Sequence, residues 1–366
     1  MRILMTADAV GGIWTYAMEL AAGLSARGIE VVLATVGPEP TDEQKKYALS
    51  IPGLTLEVSR YKLEWMEEPW HDVDRAGDWL IETAARHAVD LVHLNGYAHG
   101  ALAWRCPVLI AGHSCVLSWW HAVHGVDAPR EWDRYRRRVT AGLERADCLV
   151  TPTQAFMECL QRWYAPKCER RVIRNARSAA QFAAAGEARQ AIALACGRIW
   201  DQAKGLHLLD EIASDLPWPV YVAGDDTSPD GVSRSPASVR CVGRLDASQV
   251  AAWMKRATIF VHPARYEPFG LAVLEAALSG CAPVLADLPS LRELWSGAAL
   301  FVNVDDPVEL QRTLRSLMND LARCRALGAA ARARARQFAP TTMSGAYAHL
   351  YEEMLAKRAA LHRVVA

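Results

Sequence analysis

The sequence has no uninterrupted apolar run of about 18 residues, so nothing in it reads as a membrane-spanning helix. It has no excess of one charge either: 41 Lys and Arg face 41 Asp and Glu. That balance argues against a global attraction to nucleic acid. Its nine cysteines include no CxxC and no Cys/His zinc spacing, which fits a reducing compartment better than a disulfide framework. G-x-G-x-x-G is absent, and the strand expected at 30–36 runs into Gly37-Pro38 with no acidic residue to hold a ribose. A dinucleotide site is therefore disfavoured. There is no low-complexity tract and no short-period repeat. The opening MRILMTADAVGG is a strand and a turn, too briefly apolar for a signal peptide. The cytoplasm is the expected compartment.

What is present is a strand–helix alternation that runs twice. At 366 residues the chain exceeds the ~250–300 at which single cores usually stop growing. Apolar runs predict strands over 2–7, 30–36, 54–58, 89–94 and 107–111, one within ADCLVTPT at 146–153, which also supplies a turn, and one over 171–174. Helices are expected over 13–26, 73–87, 130–146 and 154–164, and Thr41-x-x-Gln44 resembles a capping box. The small, polar stretch RSAAQFAAAGEARQ then marks an interdomain linker, placed at 176–190. The alternation restarts with strands over 191–196, 220–225, 239–242, 258–261, 282–286 and 300–302, and helices over 246–256 and 271–278. Ser290-x-x-Glu293 reads as a second capping box. The fold class is α/β, with doubly wound Rossmann-like domains over 1–175 and 191–340 and a terminal helix within 341–366.

The most informative stretch is 259–293, IFVHPARYEPFGLAVLEAALSGCAPVLADLPSLRE. A short strand breaks at Pro263, a polar loop carries Glu267, and Phe269-Gly270 leads into a helix bearing Glu275. A Gly-bearing loop facing a helix N-terminus is an anion site, because the first backbone N–H groups lack helical acceptors. Glu275 is charged on an otherwise apolar helix, and burying it alone costs roughly several kcal/mol. A pair of sugar or ribose hydroxyls would satisfy it; a salt bridge within the fold is the plain structural alternative.

Glu-x7-Glu enclosing Pro-Phe-Gly, followed by EAALSGCAPVLA, resembles the donor-sugar signature of retaining glycosyltransferases of the GT-B fold, family four in the sequence classification. The resemblance covers nearly the whole chain. It implies two Rossmann-like domains facing a cleft, with the second holding a nucleotide sugar, UDP- or GDP-linked, and the first presenting a glycan, lipid-linked or small-molecule acceptor. The setting it implies is cell-surface polysaccharide or glycoconjugate biosynthesis. Glu275 would accept ribose hydroxyls, backbone N–H groups near Phe269, Gly270 and Leu271 would hold the sugar and inner phosphate, and Glu267 would orient the sugar. Gly197-Arg198 and Lys204-Gly205 are similar to the family's cation pair, a guanidinium fork and a point charge that clamp a diphosphate. Gly243-Arg244-Leu245 stands where relatives read the base through backbone groups.

In the first half, the Gly11-Gly12 turn lets backbone approach a ligand closely; the resemblance implies that this ligand is the donor's phosphates or the acceptor, which makes Trp14 just beyond it an acceptor-side candidate. Gly112-His113-Ser114 ends a strand, where open α/β sheets bind ligands, and His113 matches the family's histidine beside the donor sugar. The loop CVLSWWHAVHGVDAP offers Trp119, Trp120, His121 and His124 for stacking on an acceptor, or as a packed lid. His113, His121 and His124 could ligate a metal by composition, but no carboxylate or thiolate is placed to complete the shell. The resemblance implies that no metal or other cofactor is required. Arg130, Arg134, Arg136, Arg137 and Arg138 form a basic helical pattern, read as a solvated face with weak peripheral membrane contact as the alternative. ARARARQF near the end reads as a solvated face too.

The sequence departs from the family at Asn175-Ala176-Arg177, where Asn-Gly is usual, and in lacking an acid after His113. Nine of the thirteen tryptophans precede residue 170, which suggests an acceptor with flat surfaces. Two other readings stay open: a phosphorylase or epimerase on the same fold, and a catalytically silent subunit that binds a nucleotide sugar.

Overall fold

The computed structural model describes residues 1–182, 189–227 and 236–365. The chain divides into two compact units, residues 1–121, 126–176 and 340–366 in the first, and 177–339 with 122–125 in the second.

In the first unit, strands β1 (Arg2–Ala7), β2 (Glu30–Thr35), β3 (Leu54–Val58), β4 (Leu91–Leu94), β5 (Val108–Ala111), β6 (Cys148–Thr151) and β7 (Glu169–Val172) form a parallel sheet ordered β3-β2-β1-β4-β5-β6-β7. Helices α1 (Gly12–Ser25), α2 (Asp42–Leu49), α3 (Trp70–Arg86), α4 (Val116–His124), α5 (Asp133–Arg145) and α6 (Gln154–Tyr164) connect them. The inner strands β1, β2, β4, β5 and β6 are almost wholly buried because both faces are covered, as parallel sheets require, whereas the edge strands β3 and β7, the latter Glu-Arg-Arg-Val, are partly exposed. Thr41 and Gln44 do form a capping box at α2. Thr41→Ala is expected to cost about 1 kcal/mol, read as a lowered midpoint in thermal unfolding of the full chain.

The second unit repeats the plan. Its strands are β8 (Gln190–Cys196), β9 (Val220–Ala223), β10 (Arg240–Cys241), β11 (Ala257–His262), β12 (Ala282–Ala286) and β13 (Leu300–Val302), ordered β10-β9-β8-β11-β12-β13. Helices α7 (Leu206–Ile212), α8 (Ala247–Arg256), α9 (Leu271–Ser279), α10 (Pro289–Trp295), α11 (Pro307–Met318) and α12 (Leu321–Ala335) follow. Cores lie on both faces of this sheet, one around Phe260, Leu274 and Trp295 and the other around Leu209, Val261 and Leu314. The last helix, α13 (Pro340–Val365), joins the core of the first unit through Met343, Tyr347, Leu350, Tyr351 and Met354. Those positions recur at the 3.6-residue period of one helix face.

Several local expectations change. The aromatic loop after His113 is instead the helix α4, since VLSWWHAVH holds no breaker before Gly125, which turns at φ +72°. Ser290 does not cap α10; Leu288 stands at the cap with no side-chain bond, and Pro289 opens the helix. Within the expected linker, Phe182 is buried in the core of the second unit, and residues 183–188 lie outside the described residues. Two of the basic-helix arginines are committed locally, with Arg134 and Arg138 each 5.3 Å from the Trp70 ring and Arg138 paired to Asp74 at 2.6 Å. Arg334 of the terminal basic run donates to the carbonyls of Leu294 and Ser296 at 3.1 and 3.3 Å, closing α10. Among the described residues no helix is long and apolar enough to cross a membrane.

Candidate active site

Both sheets reverse their winding between two adjacent strands, β1 and β4 in the first unit and β8 and β11 in the second. Ligands of open α/β sheets bind beyond the carboxyl ends of the strands at such a switch point. In the second unit the loops after β8 and β11 meet there. Gly205 sits at φ +62°, and a Cβ on it would lie 2.0 Å from the carbonyl oxygen of Pro263. The Arg265 N–H donates to the Ala203 carbonyl at 2.8 Å, stitching one loop to the other. Asp201 organises the first loop. It accepts from the Ala203 N–H at 3.0 Å and pairs with Arg198 at 2.6 Å, whose guanidinium lies 5.0 Å from the Trp200 ring.

That stitching brings Lys204 to Glu267. Lys204 Nζ and His262 Nε2 each lie 3.1 Å from the same Glu267 oxygen, Oε2. His262 is 3% exposed and Glu267 14%, so the cluster is largely out of water. Burial pushes the Glu267 carboxyl up, but the charge of Lys204 and the bond to His262 outweigh it and hold it well below the usual carboxylate range. The Ser290 hydroxyl donates to the Glu267 carbonyl, fixing the loop from the other side. Phe269 buries its ring against Phe338, 5.9 Å away, and Gly270 turns at φ +86° to start α9. The first amides of α9 therefore begin next to this cluster, with no helical carbonyl before them.

Glu275, one turn into α9, accepts from Arg177 Nε at 2.6 Å, with 14% and 10% of the two side chains exposed. The salt bridge that stood as the plain alternative for Glu275 is thus formed, by the arginine at the departure from Asn-Gly. Farther along the sheet edge, Gly243 turns at φ +74° and its carbonyl accepts from Gly224 N–H at 2.9 Å. Arg244 is exposed, and Leu245 packs partly onto the core.

In the first unit, Gly11 turns at φ +78° before α1, and a Cβ there would meet nothing within 4 Å. His113 leaves β5 with Nε2 2.7 Å from Asn95 Oδ1 and its ring edge-on to Tyr16, centroids 4.5 Å apart. Burial lowers its pKa to about 4, so the ring is neutral at pH 7. Beneath it, the fully buried His93 lies 3.3 Å from the Tyr16 hydroxyl and 2.7 Å from that of Tyr351. Trp14 does not serve as an acceptor-side candidate: it is 8% exposed and lies in the core. Helical spacing puts it on the face of Ala17, Met18 and Ala21, all buried. Trp119 and Trp120 are half-buried on α4, edge to face at 6.2 Å, while His121 stacks edge-on to Trp163 at 5.7 Å and faces Asp127. Among the described residues no three His, Cys, Asp or Glu side chains are grouped to hold a metal.

Two family profiles match this chain, "Glycosyl transferase 4-like domain" over residues 11–176 and "Glycosyl transferases group 1" over residues 190–320. The chain belongs to the group 1 glycosyltransferases of the GT-B fold. It is similar to glycogen synthase of Mycobacterium tuberculosis, 27% identical over 98% of this chain and 95% of that one. Among solved structures, sucrose-phosphate synthase from Thermosynechococcus elongatus superposes with a TM-score of 0.81 at 20% identity, covering 98% of this chain and all of that one. Anabaena HepE, solved with UDP and glucose, gives a TM-score of 0.77 at 17% identity over 96% of this chain and all of that one.

Within this glycosyltransferase, Lys204 and Glu267 stand in contact, whereas Arg198 is turned to Asp201 and Glu275 to Arg177. Site contacts that the sequence did not reveal are those of Asp201, His262 and Asn95, of Ser290, expected only as a helix cap, and of Arg177 as a partner for Glu275. Asp201 was legible as an acid three residues after Arg198. His262 was legible as a polar residue closing an apolar strand. The Ser290 and Asn95 contacts span loops 23 and 18 residues apart, and no local pattern marks them.

Proposed function

We propose that this glycosyltransferase acts with retention, moving a sugar from a UDP- or GDP-linked donor to a hydroxyl of a glycan, lipid-linked or small-molecule acceptor. The observation that carries the reading is the Lys204–Glu267–His262 cluster at the switch point of the second unit, beside the start of α9. The likeness to HepE, whose structure holds UDP and glucose, supports a uridine donor in particular.

In this reading the bond from the anomeric carbon to the donor's diphosphate breaks while the acceptor oxygen attacks from the same face. The departing phosphate oxygen takes the acceptor's proton, leaving a nucleoside diphosphate and the glycosylated acceptor. Negative charge grows on the diphosphate. Arg198 and Lys204 neutralise it, with the α9 amides adding a fixed positive field. An ammonium has three donors, so Lys204 can hold Glu267 and still reach a phosphate. Glu267 and His113 orient the sugar's hydroxyls. Glu275 accepts from the ribose: a carboxylate offers about four lone-pair sites, and Arg177 leaves room for hydroxyl donors. Gly11-Gly12 and the amides near Phe269–Leu271 approach the phosphates, Gly243-Arg244-Leu245 the base, and Trp119, Trp120 and His121 the acceptor. These charges and dipoles suffice without a metal.

Calorimetric titration of UDP-, GDP-, ADP- and TDP-linked sugars into the full chain tests the donor half. One donor is expected to bind, and Glu275→Ala to weaken it by about 1.5–3 kcal/mol, the value of hydrogen bonds to a charged group. A folded chain that binds none would remove the mechanism. Binding with neither hydrolysis nor transfer would favour a silent subunit.

A further inference from the structure

We infer that Asn95 is a positioning residue that fixes His113 as the tautomer protonated at Nε2, so that the ring meets the substrate with a bare Nδ1 that accepts a hydrogen bond from a hydroxyl. The role in catalysis rests on the glycosyl-transfer reading above; the tautomer does not.

The argument runs through donors and acceptors. Asn95 follows β4, the strand beside β1 at the reversal of the sheet. Its backbone N–H donates to Thr6 Oγ1 at 2.8 Å, and its side-chain Nδ2 lies 2.6 Å from the Thr6 carbonyl oxygen. A carbonyl oxygen only accepts, so the group facing it must be the amide NH2. The amide is thereby oriented, and its oxygen, Oδ1, is the atom that faces His113 Nε2 at 2.7 Å. An amide oxygen has no proton to give. The proton in that bond belongs to Nε2, and a neutral imidazole has only one N–H. Nδ1 is left as a lone pair.

The surroundings keep the ring neutral. The titratable groups beneath it are Tyr16 of α1, whose ring lies edge-on, and His93 of β4, itself bonded to Tyr351 of α13 and stacked on Tyr347 at 5.1 Å. None supplies a negative charge at neutral pH, since burial raises the Tyr16, Tyr347 and Tyr351 hydroxyls and lowers His93 to about 3. No carboxylate is hydrogen-bonded to His113 among the described residues. The histidine is thus an acceptor toward the sugar, and it would orient a hydroxyl that donates. An oxygen able only to accept would be refused at this position.

The test uses the full chain labelled with [15N]histidine, with His113 assigned by the signal lost in His113→Gln. Long-range proton–nitrogen spectra are expected to show a neutral ring, protonated at Nε2, at pH 7. Asn95→Ala should release that preference and mix the tautomers. Asn95→Asp, close to isosteric and able to fold where alanine does not, should keep the proton on Nε2 but raise the pH at which the ring becomes charged. Donor hydrolysis gives the second readout. Asn95→Ala is expected to lower kcat about tenfold with KM changed less than about twofold. Asn95→Asp should recover turnover at pH 8 and lose it again as the pH falls and Nδ1 acquires a proton. A parent ring protonated at Nδ1, or charged at pH 7, would overturn the inference. So would equal losses in both variants at every pH. If no donor is turned over, the spectra still decide the tautomer, and the failure belongs to the glycosyl-transfer reading alone.

Discussion

Lys204→Ala is expected to lower turnover of the nucleotide-sugar donor by about a hundredfold to a thousandfold, the usual cost of removing one donor aimed at a developing oxyanion. Its ammonium is the cation in direct contact with Glu267, at 3.1 Å, and in the proposed mechanism it also meets the diphosphate as charge builds. The loss should fall on kcat more than on KM, because the interaction strengthens in the transition state. The variant has a second signature in stability. Burial raises the Glu267 carboxyl, but Lys204 and His262 depress it by more. A group whose folded pKa lies below its unfolded value, about 4.3 for glutamate, contributes stability that is present above the unfolded value. That stability is lost as the pH falls through the folded one. Removing Lys204 takes away the largest depressing influence, so acid unfolding should begin at higher pH in Lys204→Ala than in the parent. Thermal melts across pH 3 to 7 measure it. Unchanged acid midpoints would mean that the pair is not formed in solution.

The second large effect is on folding. Gly205→Ala is expected to destabilise the second unit by several kcal/mol, enough to abolish its cooperative unfolding transition at 37 °C. Alanine in the left-handed region costs roughly 1–2 kcal/mol by itself. The methyl group would also stand 2.0 Å from the Pro263 carbonyl oxygen, less than any nonbonded contact permits. That oxygen belongs to the backbone between β11 and Glu267, so relief requires parting the two loops that carry Lys204 and Glu267. Urea unfolding of the soluble variant, followed by tryptophan fluorescence, reads the loss. A melt within about 1 kcal/mol of the parent would show that the loops can separate cheaply, and that the cluster is held by something else.

The fold was legible because parallel strands buried on both faces are written as short apolar runs, and the turns between them by Gly and Pro. Every expected strand appears within about two residues of its place; the least accurate is the edge strand β7, expected over 171–174 and found at Glu169–Val172, where the charged Glu-Arg-Arg run gives no apolar signal. Helix α4 was hidden because two tryptophans and two histidines look like a binding loop, although nothing in VLSWWHAVH stops a helix. Glu267, Lys204 and Glu275 were singled out by the family resemblance of the motifs that carry them, since the spacings alone say little. What surrounds them was not. Arg177 meets Glu275 across 98 positions of chain, and His262 meets Glu267 only because the loop after β11 folds back on its own strand. Trp14 failed for a related reason: the residue type suggested a ligand surface, while its helical phase had already committed it to the core.

The central claim is that the second unit handles a nucleotide sugar and the reaction keeps the configuration at the anomeric carbon. Proton NMR at early times, recording the anomeric signal of the sugar first released when the full chain hydrolyses the donor it binds, tests it most directly. The account predicts release in the same anomeric configuration as the donor, and almost none from Lys204→Ala. The opposite anomer appearing first, or equal release from the variant, would contradict it.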